Sequence, residues 1–300
     1  MPDNKPLTSR ERVLRLINRQ AVDRIPKGEL CIDEDVLHTA GYPHGGFDEL
    51  SGFIDSLGLD LITLSPEYPE RPARLPVPSE YHWPDLNRWA GHASLFTFAI
   101  LDGAFEWGMR LFGALEFLPM MVRSSSTVQE FIDQVESINL SVFENLEAAG
   151  IDGIILADDI AASNGVFIRP SLLRSTILPS LARQVEAISS KNIPVFFHSD
   201  GDYSLVIEDI VGTGIAGLHC LDKNAGMEIG AVQGQLGDRV CLWGHLDIGD
   251  ITRSSDPSFR AHLVEDIHLL AEQGRFMLGT TSGLFTGMDI HLLKEIYAAV

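Results

Sequence analysis

A single-domain (β/α)8 barrel of the TIM type, spanning residues 1–300, is the α/β fold that the sequence predicts. Three observations carry it. Eight short apolar runs, often β-branched and too brief for helices, are distributed along the 300 residues. In the second half they alternate with helical stretches at the spacing of βα units. The runs are continuously apolar, as in a parallel sheet covered on both faces. A doubly wound open sheet is the competing architecture, but no G-x-G-x-x-G follows the first run.

Thr8-Ser9-Arg10-Glu11 is a T-x-x-E capping box that opens a helix through about Gln20. Strands follow at Lys27–Cys31 and Asp60–Leu64. Residues 65–91 hold six prolines and little apolar periodicity. Proline lacks a donor and fixes φ, so this stretch reads as a long ordered loop or lid. Phe96–Leu101 is the third strand. Thr127-Val128-Gln129-Glu130 is a second capping box, and Val128, Phe131, Val135, Ile138, Val142 and Leu146 repeat at helical spacing until Gly150. Strands at Gly153–Ala157, Pro194–Phe197, Gly217–Leu221, Val240–Trp243 and Phe276–Leu278 complete the eight. The helices between and after them are read at Pro170–Ser190, Tyr203–Val211, Met227–Leu236, Asp256–Gln273 and Met288–Ala299.

Composition narrows the function. Lys plus Arg is 22 against 42 Asp plus Glu, a net charge of −20, so phosphate backbones and anionic lipid surfaces are repelled. Neither nucleic acid nor membrane is an expected partner, and no apolar run approaches the ~20 residues of a membrane helix. The opening MPDNKPLTSRERV lacks an apolar signal region, so a cytoplasmic location is expected. Cys31, Cys220 and Cys241 are too dispersed for a disulfide framework or a CxxC site and read as small buried side chains.

A barrel's chemistry sits at the C-terminal ends of its strands. Here those ends deliver Glu29, Ser65, Asp102, Asp158-Asp159, His198-Ser199-Asp200, His219, His245 and Thr281-Ser282. His198, leaving a buried strand beside Asp200, can serve as an acid or base, or a metal can use both. Of Asp158 and Asp159, which point opposite ways, one is expected to face the pocket and the other to cap a loop. Trp107 and Trp243 are candidates to enclose an apolar ligand.

Several segments resemble the uroporphyrinogen decarboxylase and corrinoid methyltransferase superfamily, in order along essentially the whole chain. They are Ser9–Leu14, Val22–Pro26, Leu156–Asp159, Arg169-Pro170, Phe197–Gly201, Gly237–Arg239 and Gly244–Asp247. The resemblance implies a (β/α)8 barrel. Two departures separate the branches. Where the decarboxylase branch carries R-Q-A-G-R-Y to hold a polycarboxylate porphyrinogen, this chain reads Gly28–Asp35, which is acidic. Where the zinc thiol-methyltransferase branch has H-x-C and a later Cys, this chain has His198, Asp200 and approximately Ser282. An oxygen-rich set is poorly suited to stabilising a thiolate.

The resemblance therefore implies a methyltransferase that demethylates an aryl methyl ether, of guaiacol or veratrole type. The methyl passes to the Co(I) corrinoid of a separate corrinoid protein. His198, Asp200 and Asp158 are the expected catalytic residues, with Glu29, Asp102, Asp159, Trp107, Trp243, His245 and Ser282 binding substrate. Loss of both cysteine positions argues against tightly held zinc; were zinc held, His198, Asp200 and Glu29 would be its ligands. A homodimer is compatible with this reading. The alternatives are a cofactor-free decarboxylase, a methylcorrinoid methyltransferase with a thiol acceptor, and a non-catalytic binding relative.

Overall fold

Short runs rich in β-branched and aromatic residues, each bounded by Gly, Pro or Asp, become strands because their side chains fit a pleated surface. The computed structural model describes residues 6–68, 72–123 and 126–300. Its strands are β1 (Leu61–Leu64), β2 (Phe96–Asp102), β3 (Gly153–Ala157), β4 (Ala161–Ala162), β5 (Gly165–Val166), β6 (Val195–His198), β7 (Gly217–His219), β8 (Cys241–Leu246) and β9 (Phe276–Thr280). Seven form one parallel sheet in the order β1-β2-β3-β6-β7-β8-β9, while β4 and β5 make a small antiparallel hairpin.

The sheet curls, so alternate residues enter different cores. Leu61, Phe98, Ile155, Phe196, Trp243 and Met277 share the inner core. Ile62, Leu101, Ile154, Phe197, Leu218 and Leu242 belong to the outer core, with the surrounding helices. Instead of the expected eighth strand at Lys27–Cys31, only an isolated bridge pairs Lys27 with Leu278. The backbone N–H of Gly28 donates to Leu278 at 3.0 Å, and Asp60 N–H donates to Lys27 at 2.6 Å. This segment thus lies between the two edge strands without the length of a strand.

The helix Ser9–Ile17 opens on the expected capping box, with Thr8 Oγ1 accepting from Glu11 N–H at 3.2 Å and Glu11 accepting from Thr8 N–H at 2.8 Å. Val13, Leu16 and Ile17 enter the inner core. Each such burial contributes about 1.5–3 kcal/mol. Arg12 donates to Asp60 at 2.5 Å and Arg275 donates to the Ile17 carbonyl at 2.7 Å. Both anchors stand just before a strand, so this helix plugs the end of the sheet where strands begin.

Four helices after β6 lie near their expected bounds, at Ile207–Gly212, Ile229–Leu236, Pro257–Gln273 and Ile290–Ala299, while Ile248–Arg253 was not expected. Three readings are corrected. The stretch from Pro170 is two helices, Pro170–Ser175 and Ile177–Ser189, interrupted at Thr176, whose ψ is −68° at a φ of −125°. Thr127 lies inside the helix Ser126–Ala149 rather than capping it. The proline-rich stretch contains a 3-10 turn at Pro78–Glu80 and a short helix at Leu86–Ala90; its residues 69–71 lie outside the described ones. Among the described residues no helix is long and apolar enough to cross a membrane.

Candidate functional site

Register assembles the site. Asp102 pairs with Ala157, Ala157 with His198, and His198 with His219, so the four stand in one row across neighbouring strand ends. Ile100, Ile155 and Phe196, two residues earlier on three of these strands, lie in the inner core. Side chains alternate, so the row faces the concave side, at the end opposite the helical plug.

His198 is buried, and its Nδ1 stands 2.8 Å from Nδ1 of His219. Its Nε2 lies 3.8 Å from Asp159 Oδ1 and 3.9 Å from Asp200 Oδ1. Asp159 Oδ1 also accepts the backbone N–H of Asp200 at 2.8 Å, and Ser199 Oγ accepts from Ile160 N–H at 3.2 Å, so the two loops hold each other. Burial, reinforced by the neighbouring Asp159 charge, raises the Asp200 carboxyl above its usual range, while His198 opposes the shift. The Cys220 thiol faces the Asp200 carboxylate and is pushed up by burial. His219 is completely buried, which drives its basicity well below the ordinary imidazole range, with His198 adding to the effect. Asp159, His198 and Asp200 each offer one ligand atom, all within 4.8 Å of one another.

Of the two adjacent carboxylates, Asp159 faces His198 and Asp158 turns away. Asp158 Oδ1 accepts the N–H of Glu106 at 2.7 Å, in the first turn of the helix Ala104–Phe112. Gly103 is required there, because an added Cβ would overlap the Asp158 carboxylate. Burial raises that carboxyl far above its usual range. The expectation that Asp158 shares a cavity with His198 is therefore corrected: it sits on the outer face, where it orders a helix.

Asp102 joins the row but is paired, accepting from Arg110 Nη1 at 2.9 Å. Its burial outweighs the guanidinium and pushes its carboxyl up to about 6. Arg110 also bonds Glu106 at 3.0 Å and lies 5.1 Å from the ring centroids of both Tyr68 and Trp107. Trp107 is wholly buried in the outer core, with its indole N–H lacking a hydrogen bond of standard geometry. Trp243 is also core: it stacks on Phe98 at 5.7 Å, donates to the Gly28 carbonyl at 3.1 Å, and lies 4.7 Å from the His219 ring. It floors the site rather than reaching a ligand.

Neither Glu29 nor His245 bonds His198, whose partners are His219, Asp159 and Asp200. Glu29 accepts from Thr280 Oγ1 at 2.6 Å and from the Tyr297 hydroxyl, and burial pushes its carboxyl up to about 7. It lines a cavity of about 460 Å³ with Cys31, Thr63, Phe47, Leu50 and Trp89. Ser282 borders Cys31, whose thiol donates to the Ser282 carbonyl at 3.3 Å. His245 would face inward by strict alternation from Trp243, but φ is +131° at Gly244 and +130° at His245. That double turn swings the imidazole into a separate groove of about 400 Å³ beside Lys223, Asp250 and His262. Burial lowers its basicity to about 4.

Three members were not singled out from sequence. His219 was visible as a strand end, but nothing marked it as the partner of His198. The signal for Arg110 was its helical spacing from Glu106. Cys220 carried none, since contact with Asp200 arises only when β6 and β7 pair.

A family model described as Uroporphyrinogen decarboxylase (URO-D) matches residues 98–300. Uroporphyrinogen decarboxylase of Chlorobium phaeovibrioides (strain DSM 265 / 1930) is 28% identical over 156 residues, and that of Pelodictyon phaeoclathratiforme (strain DSM 5477 / BU-1) is 29% identical over 157. Each match covers 51% of this chain and 40% of the relative, so under half of those proteins' length is spanned. Among solved structures, a methyltransferase from Methanosarcina mazei superposes with a TM-score of 0.72 at 14% identity, covering 98% of both chains. A B12-independent methionine synthase from Shewanella sp. W3-18-1 gives 0.56 at 11% identity, covering 92% of this chain and 95% of its own. These likenesses share the fold, and the family match covers more than half of the sequence: the chain belongs to the uroporphyrinogen decarboxylase family.

Proposed function

We propose that this chain is a corrinoid-dependent methyltransferase that demethylates an aryl methyl ether of guaiacol or veratrole type. The acceptor in this reading is the Co(I) corrinoid of a partner protein seated over the C-terminal strand ends of a closed (β/α)8 barrel. One observation carries it: His198 Nε2 faces two carboxylates, Asp159 and Asp200, at 3.8 and 3.9 Å. The arginine that reaches the row of strand ends, Arg110, is neutralised by Asp102 and Glu106. Among the described residues this row offers a polycarboxylate no unpaired arginine, whereas a neutral aromatic ether needs none.

When the methyl carbon–oxygen bond breaks, its electron pair stays on oxygen, and a phenolate is a poor leaving group without help. A proton on His198 Nε2 supplies that help, with Asp159 and Asp200 stabilising the imidazolium from which it comes. The two carboxylates and one imidazole also suit a divalent cation such as Zn²⁺, which takes oxygen and nitrogen ligands and, when bound, supplies positive charge for the same oxygen. Glu29 is committed to Thr280 and Tyr297 and is outside this set. Proton and cation are alternatives, because both need the lone pair of Nε2.

A second reading, decarboxylation without corrinoid, is favoured by the names of the curated relatives. One experiment separates them. The protein is incubated with reduced corrinoid protein and methylated phenols, amines and thiols, with methylcorrinoid followed by absorbance, and separately with a porphyrinogen carboxylate and no corrinoid, with released CO2 measured. Methylation from phenol ethers supports the proposal; CO2 release without corrinoid overturns it.

A further inference from the structure

We propose that His219 is the positioning residue that fixes which ring nitrogen of His198 is free at the mouth. The proposal rests on the reading of His198 as the group serving the leaving oxygen. Two Nδ1 atoms 2.8 Å apart can hold only one hydrogen between them, so one ring donates and the other accepts. What the other nitrogen of His219 faces decides which.

The His219 ring is sealed beneath the site, with Trp243 at 4.7 Å between centroids and no solvent exposure. Its Nε2 faces the backbone carbonyl of Thr280, though short of standard hydrogen-bond geometry. A carbonyl oxygen can only accept, so in the neutral ring Nε2 bears the hydrogen and Nδ1 bears the lone pair. His198 Nδ1 must then donate. Nε2 is left as the atom that takes or releases a proton, or binds a cation, facing Asp159 and Asp200. If the hydrogen lies the other way, neutral His198 carries an N–H at Nε2 and has no lone pair there to take up a proton or bind a cation. His219 thus acts through His198, as the partners of metal-binding or catalytic imidazoles do.

The test reads the hydrogen directly and needs no substrate. Protein labelled with ¹⁵N-histidine is studied by long-range ¹H–¹⁵N correlation as wild type, His219→Asn and His219→Phe, with His198→Gln for assignment. Neutral His198 in the wild type is expected to show a pyrrole-type Nδ1 and a pyridine-type Nε2. His219→Asn, whose side-chain oxygen still accepts, should keep that pattern, and His219→Phe should move the pyrrole-type signal to Nε2. An Nε2–H tautomer in the wild type overturns the proposal, as does an unchanged tautomer in His219→Phe. If His219→Phe does not fold, the wild-type spectrum alone decides. The expected tautomer in a protein that methylates no corrinoid would sink the proposed function and leave this assignment standing.

Discussion

Asp159 holds His198 from the neighbouring strand end, its Oδ1 standing 3.8 Å from Nε2 while it also fixes the Asp200 backbone at 2.8 Å. One carboxylate therefore sets the position of both other members of the group. Removing a general acid costs about 10²–10⁴ in rate. His198→Ala and Asp200→Asn are expected to fall in that range for corrinoid methylation by guaiacol-like donors. Asp159→Ala should lose activity comparably, because its loss frees the Asp200 loop. Circular dichroism should report an intact fold, and full activity in all three variants would remove this group from the chemistry.

Ala157 lies in register between Asp102 and His198, and its side chain is only a methyl group. Neighbouring strands are about 4.8 Å apart, so Asp102 and His198 flank a gap of roughly 10 Å, about the reach of a substituted ring. Ala157→Phe should fill it. The expected result is at least a tenfold weaker affinity for the aromatic donor by calorimetry, with little change in melting temperature because the residue is only partly buried. Unchanged affinity would place the ring elsewhere.

Gly103 and Asp158 share one volume. Gly103→Ala is expected to destabilise by about 1–3 kcal/mol, as overpacking does. Asp158→Ala should cost about 0.5–2 kcal/mol through loss of the cap on the helix Ala104–Phe112. In the double variant the new methyl enters the vacated space, so the combined cost should fall short of the sum by at least about 0.5 kcal/mol. Urea titrations of the four proteins measure this, and strict additivity would disprove the steric account.

Glu29 predicts a pH signature. Its carboxyl is raised from 4.5 to about 7 by burial, so the folded chain binds the proton more tightly than the unfolded chain. Stability from this group is full below about 4.5, falls as pH rises to about 7, and is then flat. The slope is on the order of 1.4 kcal/mol per pH unit. Glu29→Gln, whose carbonyl oxygen still accepts from Thr280 while its amide can donate to the Tyr297 hydroxyl, carries no charge and should gain on wild type across that window. Denaturation at pH 5 and pH 8 tests it, and a constant difference would show that Glu29 does not titrate there.

Seven of the eight apolar runs were legible as strands because a run buried on both faces has few other uses. Lys27–Cys31 was not, since its pairing is limited by what surrounds it: Pro26 has no N–H, and the Leu61 side chain fills the place of a Gly28 Cβ. The helices Glu34–Thr39, Gly46–Leu57, Leu86–Ala90, Ala104–Phe112 and Ala114–Arg123 were missed. Glycines and Pro119 interrupt the helical pattern there, and Gly108 packs against Phe117 so closely that no Cβ would fit. Within the site, alternation along β3 gave Asp159 and Asp158 opposite faces, as found. The same rule failed at His245, because two positive φ values in succession reverse the count and no residue type announces them there.

The helical plug imposes an order on synthesis. Val13, Leu16 and Ile17 leave the ribosome first, yet their inner-core neighbours Trp243 and Met277 are made near the end. At ~5–20 residues per second the helix waits on the order of tens of seconds for them. During that interval part of its apolar face is exposed, and a nascent chain that has not reached Phe276 offers that part to chaperones and proteases. Such a protein matures in stages: β1 and β2 receive its first helix early, and the last strand completes that helix's surroundings.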